Sequence, residues 1–432
     1  MQEPKVARKL LFKGASLVDF DSGEETPTDI LIVDGTIAEL GSVDSDSFDG
    51  ELIDATGTVA VPGLLDMHVH LREPGREDEE TVESGCRAAM AGGFTAVCPM
   101  PNTEPPADKR EVIEFLKERS RHLLVELLPI AAVTKGRKGE EIAEMGDLAE
   151  AGAVAFSDDG DPVHSAAVMR RALEYSRMFG RPVIAHCEEL TLTAGGVMNE
   201  GFVSTNLGLP GMPRIAEEIM VARDLLLAKY TGGRLHIAHV STAGSVELIR
   251  RAKAEGVNVT CEVTPHHLTL TDQAVVGFDT NTKMNPPLRT AEDVAALRAG
   301  LSDGTIDVIT SDHAPHAIEE KETEYAAAPF GIVGLETTLG LMLRELVDGK
   351  VLSMAQALRA MSVAPRAVLG LPQVKIAKGA VANVTFIDPR AEWVVDRSQF
   401  QSRCRNTPFD GWNLRGRVFA LCNRGLYWRA PW

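Results

Sequence analysis

Positive charge is the first thing this chain is short of: 44 lysines and arginines face 62 aspartates and glutamates, a formal net charge of −18. That balance excludes nucleic acid and an acidic membrane surface as general partners, because both are held by basic surfaces that release counterions. Close cysteine pairing is missing too. Cys86, Cys98, Cys187, Cys261, Cys404 and Cys422 are scattered, mostly inside apolar runs, without the spacing of a zinc knuckle or a redox pair. They read as buried thiols in a reducing compartment. Long hydrophobic runs are absent: no apolar segment follows the charges of residues 1–5, and the most apolar stretch, 123–133, is short and broken by Glu126 and Pro129. Neither a leader nor a membrane span is expected, and the expected setting is the cytoplasm. There is no low-complexity tract and no strict internal repeat.

What is present is enough apolar material for a large core. At 432 residues and 44% hydrophobic content, the chain has room for one big domain and a smaller one. From residue 57 onward, short apolar runs alternate with longer amphipathic ones, the pattern of βα units and a parallel sheet. Eight candidate strands cover 63–71, 94–100, 123–133, 153–159, 182–188, 234–240, 258–267 and 307–315, with helical spacing over 78–91, 109–121, 165–178, 215–229 and 245–254. Eight units predict an α/β fold with a (β/α)8 TIM-like barrel. Residues 8–61 and 380–432 are different, with short alternating stretches and turn signals. They are expected to pair into a small flanking β-sandwich built from both termini, giving 1–57 with 370–432 as one domain and 58–369 as the barrel.

Most of these strands end on a chemically capable residue: His70, Asn102, Asp159, His186, His239 and Asp312. Barrel enzymes place their sites at that end, whereas a doubly wound open sheet would concentrate them at one switch point. His68 and His70, at i and i+2 on one strand, share a face and can ligate one metal while Val69 turns away. An isolated His-x-His decides little. Four histidines and two aspartates at matching strand ends point to a metal centre. In the run Ser157-Asp158-Asp159-Gly160, alternation does not say which aspartate faces inward, and Asp312 reads as metal ligand, general base or helix cap. His236 is expected to face the helix layer, His313 to point off the site, and His266 and His267 to support the core or a ligand. Glu73 is a candidate for orienting a ligand.

The stretches His68-Val69-His70-Leu71-Arg72-Glu73-Pro74-Gly75, Met100-Pro101-Asn102-Thr103, Phe156-Ser157-Asp158-Asp159-Gly160, Ala185-His186-Cys187-Glu188-Glu189, His239-Val240-Ser241-Thr242, Lys283-Met284-Asn285-Pro286-Pro287 and Ser311-Asp312-His313-Ala314-Pro315-His316 resemble the dihydroorotases of the amidohydrolase superfamily, of the class I type, over essentially the full length. The resemblance implies zinc-dependent, reversible hydrolysis of dihydroorotate to N-carbamoyl-L-aspartate in pyrimidine biosynthesis. It assigns two Zn²⁺ per subunit, one on His68, His70 and Asp312, the other on His186 and His239, with Asp159 bridging. It further assigns Arg72, Asn102 and His316 to the substrate carboxylate, Asn285 and the backbone at Phe330 and Gly331 to the ring, His70 to the substrate as well, and Asp312 to catalytic proton transfer. Two divalent ions against two carboxylates would leave a positive centre that attracts an anion into an acidic protein. A homodimer and association with aspartate transcarbamoylase are expected partners. Two alternatives stay open: another cyclic amidohydrolase of the allantoinase or dihydropyrimidinase kind, many of which bridge their metals with lysine where 154–160 has none, and a non-catalytic scaffold for the transcarbamoylase.

Overall fold

The apolar runs beyond residue 62 form parallel strands covered on both faces, which is why they lack a polar alternation. In the computed structural model, which describes residues 3–46 and 48–432, Leu64–Val69 and Phe94–Pro99 are buried at every position. They pair in parallel with each other and with Glu126–Leu127. A second parallel run follows in chain order through Ile130–Ala131, Ala155–Ser157, Val183–Ala185, Leu235–Ile237, Val259–Val263 and Val308–Ile309. The two runs meet where the Leu128 N–H donates to the Val97 carbonyl at 2.9 Å and the Val154 N–H to the Pro129 carbonyl at 3.0 Å. They meet again where Val69 pairs in parallel with His313. The single strand expected over 123–133 is therefore two short pieces, parted at Pro129, which has no N–H to give the ladder.

One face of these strands carries Leu65, Met67, Ala96, Cys98, Ala155, Ile184, Ala238 and Val308. The other packs Leu64, Phe94, Phe156, Val183, Leu235 and Ile309 with the helices, among them Val82–Gly92, Arg110–Arg119, Ala166–Ser176, Ile215–Thr231 and Ala243–Ala254. The helix expected from 78 starts at Val82 because Thr81 caps it, its hydroxyl accepting from the Ser84 N–H while the Ser84 hydroxyl accepts from the Thr81 N–H. Glu73 accepts the Val82 N–H at 2.7 Å and pairs with Arg119. It anchors this helix start, and none of these contacts is to a metal-site histidine.

Both termini contribute to one nine-stranded sheet in the order Lys5–Val6, Leu426–Arg429, Asn413–Asn423, Val384–Val394, Val59–Pro62, Lys9–Val18, Glu25–Val33, Thr36–Gly41, with Glu51–Asp54 also paired to Lys9–Val18. Its arms fold over a shared apolar filling in which Phe12 stacks on Phe386 with ring centroids 4.0 Å apart. Val59–Pro62, beyond the expected boundary between 57 and 58, is hydrogen-bonded inside this sheet.

The sheet is fastened to the beginnings of the parallel strands. The Thr385 hydroxyl accepts from the Leu64 N–H and donates to the Gly93 carbonyl, and the Asn423 amide donates to the carbonyls of Thr95 and Leu124 at 2.9 Å each. The opposite, C-terminal ends of the strands are left to the polar residues. All six cysteines are buried and free, and among the described residues no helix is long and apolar enough to cross a membrane.

Candidate metal centre

The polar residues at the strand ends arrive by more than one backbone device. His186 follows Val183–Ala185 two places after Ile184, so plain alternation keeps it on the Ile184 side. His239 directly follows Ala238, which lies on that same face, and alternation alone would send its ring the other way. Its φ of 30°, in the left-handed region that costs a non-glycine residue, turns it back. Asp312 (φ 47°) and Arg72 (φ 62°) share this conformation. The same turn corrects one expectation: His236 does not face the helix layer. It is fully buried, with Nε2 3.1 Å from Glu262 Oε2 and Nδ1 2.8 Å from Thr260 Oγ1.

Four histidines and two aspartates converge. Asp159 lies between two histidine pairs: its Oδ2 is 3.4 Å from His68 Nε2 and 3.6 Å from His70 Nε2, and its Oδ1 is 3.3 Å from His239 Nε2 and 3.6 Å from His186 Nδ1. Asp312 Oδ1 stands 3.4 Å from His68 Nε2 and 3.1 Å from His70 Nε2. Asp158, the other member of the pair, turns away to accept the backbone N–H groups of Val133 and Thr134.

A surrounding layer of polar contacts holds these rings. Glu262 is 2.5 Å from His68 Nδ1 through one oxygen and reaches His236 through the other. Asn102 Oδ1 is 2.8 Å from His70 Nδ1, and Glu188 Oε2 is 3.0 Å from His186 Nε2 while accepting from the Asn285 amide at 2.9 Å. Asn102 and Asn285, read from the sequence as substrate contacts, touch His70 and Glu188 respectively. Glu262 and Glu188 were missed. A charged residue inside the buried strand Val259–Val263 was the available signal for Glu262, since such a group must find a partner.

Arg72 and His316 meet at the edge of this cluster, NH2 to Nε2 at 3.4 Å. His316 Nε2 is 2.8 Å from the Phe330 carbonyl. Gly331 is tightly boxed, since a Cβ there would lie 2.7 Å from both the Ala314 carbonyl oxygen and His316 Cδ2. His313 points elsewhere, toward Glu80, and His267 is engaged by Thr264 and the Pro286 carbonyl.

Burial and mutual charge shift these groups strongly. Burial opposes charge on the His68 ring, yet Asp159, Asp312 and Glu262 together raise its pKa well above the usual imidazole range. Burial likewise works against Glu262, but His68 and His236 hold it down to about 2. Burial opposes the Asp159 carboxylate as well, and the facing rings of His68, His186 and His239 bring it well below the normal carboxylate range. His266 is pushed down to about 4 by burial. His68 Nε2 and Asp159 Oδ1 are buried without a hydrogen-bond partner, and the nitrogen and oxygen atoms that His68, His70 and Asp312, and His68, Asp159 and His239, could offer an ion lie within 4.8 Å of one another. Buried polar atoms are rarely left unpaired. Imidazole and carboxylate donors at this spacing fit divalent ions of the zinc kind.

Comparison with known proteins agrees with this chemistry. A family profile described as Dihydro-orotase-like matches residues 57–245. A dihydroorotase of Pelotomaculum thermopropionicum is 58% identical over 412 residues, covering 95% of this chain and 96% of that protein. One from Pelobacter propionicus is 52% identical over 417 residues, covering 96% and 98%. Among solved structures, the L-hydantoinase (dihydropyrimidinase) of Arthrobacter aurescens superposes with a TM-score of 0.86 at 29% identity, over 97% of this chain and 96% of that one. With full-length identity above one half to named dihydroorotases, the chain belongs to the dihydroorotase family.

Proposed function

We propose that this enzyme is a cyclic amide hydrolase, a dihydroorotase that interconverts dihydroorotate and N-carbamoyl-L-aspartate in pyrimidine biosynthesis. The observation that carries the catalytic reading is Asp159, a single buried carboxylate with one oxygen toward His68 and His70 and the other toward His186 and His239. His68, His70 and Asp312 would hold one zinc ion, His186 and His239 a second, with Asp159 shared. When bound, such a pair supplies a water acidic enough to ionise near neutral pH and a Lewis acid for the amide carbonyl. The parallel strands are taken as a closed (β/α)8 barrel and the terminal sheet as a flanking β-sandwich. The break falls after Pro62.

In the hydrolytic direction Asp312 takes the proton from the attacking water and returns it to the ring nitrogen as the tetrahedral carbon collapses. Arg72 and His316 hold the substrate carboxylate, for which the planar guanidinium suits a charge-assisted contact. Asn102 keeps the His70 ring turned toward Asp159 and Asp312, and Glu188 does the same for His186. Asn285 and the backbone at Phe330 and Gly331 line the ring.

The likeness to an L-hydantoinase keeps a second substrate class in view, and Arg72 with His316 argues for the acid. Assays on dihydroorotate, hydantoin and allantoin separate them, with turnover expected on dihydroorotate alone. The main test is elemental analysis with activity. Asp159→Ala should lose bound metal and fall by at least about 10³ in kcat, whereas Asp312→Ala should fall comparably while keeping more of its metal. An Asp312→Ala enzyme with unchanged turnover and zinc would refute the role given to Asp312. A cytoplasmic homodimer that docks on aspartate transcarbamoylase completes the proposal, and the mass of a mixture of the two purified proteins checks it.

A further inference from the structure

Beside the metal centre lies a knot of charge that no step above uses. Glu79 is buried, its side chain only 2% exposed, and each of its oxygens holds a different side chain: Oε2 is 3.0 Å from Arg72 Nε, and Oε1 is 2.8 Å from His316 Nδ1. We propose that Glu79 is the positioning residue that aims Arg72 and His316 together at the substrate carboxylate, and so sets the preference for an anionic cyclic amide. This rests on the dihydroorotase reading and deepens it.

Three physical points carry the inference. The first is charge: the guanidinium groups of Arg72 and Arg76 approach Glu79 at 3.0 and 3.4 Å, and the carboxylate shared by the two makes that crowding tolerable while Arg72 NH2 stands 3.4 Å from His316 Nε2. The second is preorganisation. Arg72 is gripped at Nε by Glu79 and by the Pro315 carbonyl at 3.1 Å, so the long side chain is fixed before substrate arrives and less conformational entropy is lost on binding. The third concerns the imidazole. Glu79 takes a hydrogen bond from Nδ1, which fixes how the ring presents Nε2 beside the Phe330 carbonyl.

Glu79 is itself well placed. Its N–H donates to the Arg76 carbonyl at 3.0 Å, and its carbonyl accepts from the Cys404 thiol at 3.0 Å. The ligand atoms of Glu79, His316 and Glu320 lie within 4.8 Å of one another, but Arg72 and Arg76, the latter also 2.9 Å from Glu320, already supply the positive charge a cation would bring.

The test compares the unaltered enzyme with Glu79→Gln and Glu79→Asp, all loaded with zinc. Glu79→Gln should raise the KM for dihydroorotate and the dissociation constant for orotate, the unsaturated ring acid, together by about tenfold or more. Its kcat should stay within about threefold and its zinc content unchanged, and Glu79→Asp, which keeps the charge at shorter reach, should fall in between. Unchanged KM and orotate affinity overturn the proposal. So does a Glu79→Gln chain that loses zinc or unfolds at lower temperature without a KM effect, because that is the mark of a purely structural residue. If the unaltered enzyme does not turn over dihydroorotate, the dihydroorotase reading fails by itself, and calorimetric binding of orotate to the two proteins still decides the role of Glu79.

Discussion

Glu262 shows how much of this site is built by buried residues behind the converging rings. Its carboxylate spans His68 and His236 from the middle of a strand that is otherwise apolar or small. A partner of this sort fixes the tautomer and aim of a ligand ring, and its loss commonly weakens metal binding 10- to 100-fold. Glu262→Gln is therefore expected to lower zinc affinity by about one to two orders of magnitude, read by competition with a chromogenic chelator, with KM changed far less than metal retention. The histidines and aspartates that converge were legible in the sequence because each follows an apolar run. Their supports were not, for two reasons: Glu188 follows His186 so closely that it looks like part of a loop, and Glu79 sits in the acidic run 77–80, which reads as a solvated face.

Strands buried on both faces announce themselves as unbroken apolar runs, so the order of the parallel strands could be read from the sequence with little else. What resisted reading was local backbone geometry. Alternation misassigned His236 because the left-handed turn at His239 reverses the facing of the residue that anchored the count, and the run 123–133 concealed a break at Pro129. Helices were legible to within a few residues, the exception being the start at Val82, where the Thr81 cap outweighs periodicity. The helix Ile215–Thr231 carries a testable charge. Asp224 is buried on it, and burial raises its carboxyl to about 6 against the pull of Arg223. A carboxyl raised in the folded state adds stability that is fully present below its unfolded value near 4 and is lost as pH climbs through about 6. Asp224→Asn should flatten that loss. Its thermal midpoint relative to the unaltered protein should improve between pH 4 and pH 7, by an amount on the order of 1 kcal/mol, measured by calorimetry across the range.

The molecule as a whole separates what keeps it folded from what makes it react. The terminal sheet grips the starts of the parallel strands through Thr385 and Asn423, while the ligands gather past their ends. Thr385→Val leaves the Leu64 N–H and the Gly93 carbonyl buried without that partner, a loss of about 1–3 kcal/mol. Denaturant unfolding should record the loss, with zinc content and KM unaltered. That the two termini pair was legible from their shared alternating style, which contrasts with the unbroken middle, and both do contribute to one sheet. The strand order within that sheet was not, since pairing across more than 300 residues leaves no local trace. Finally, Asp159 belongs to both halves of the centre at once. Neither half can be tuned alone: a proton, a substitution or a guest on the His186 side is felt by His68 through a single shared carboxylate. Refilling a stripped enzyme should accordingly depart from the curve of two independent sites, and the partly filled form should behave as a chemical species of its own.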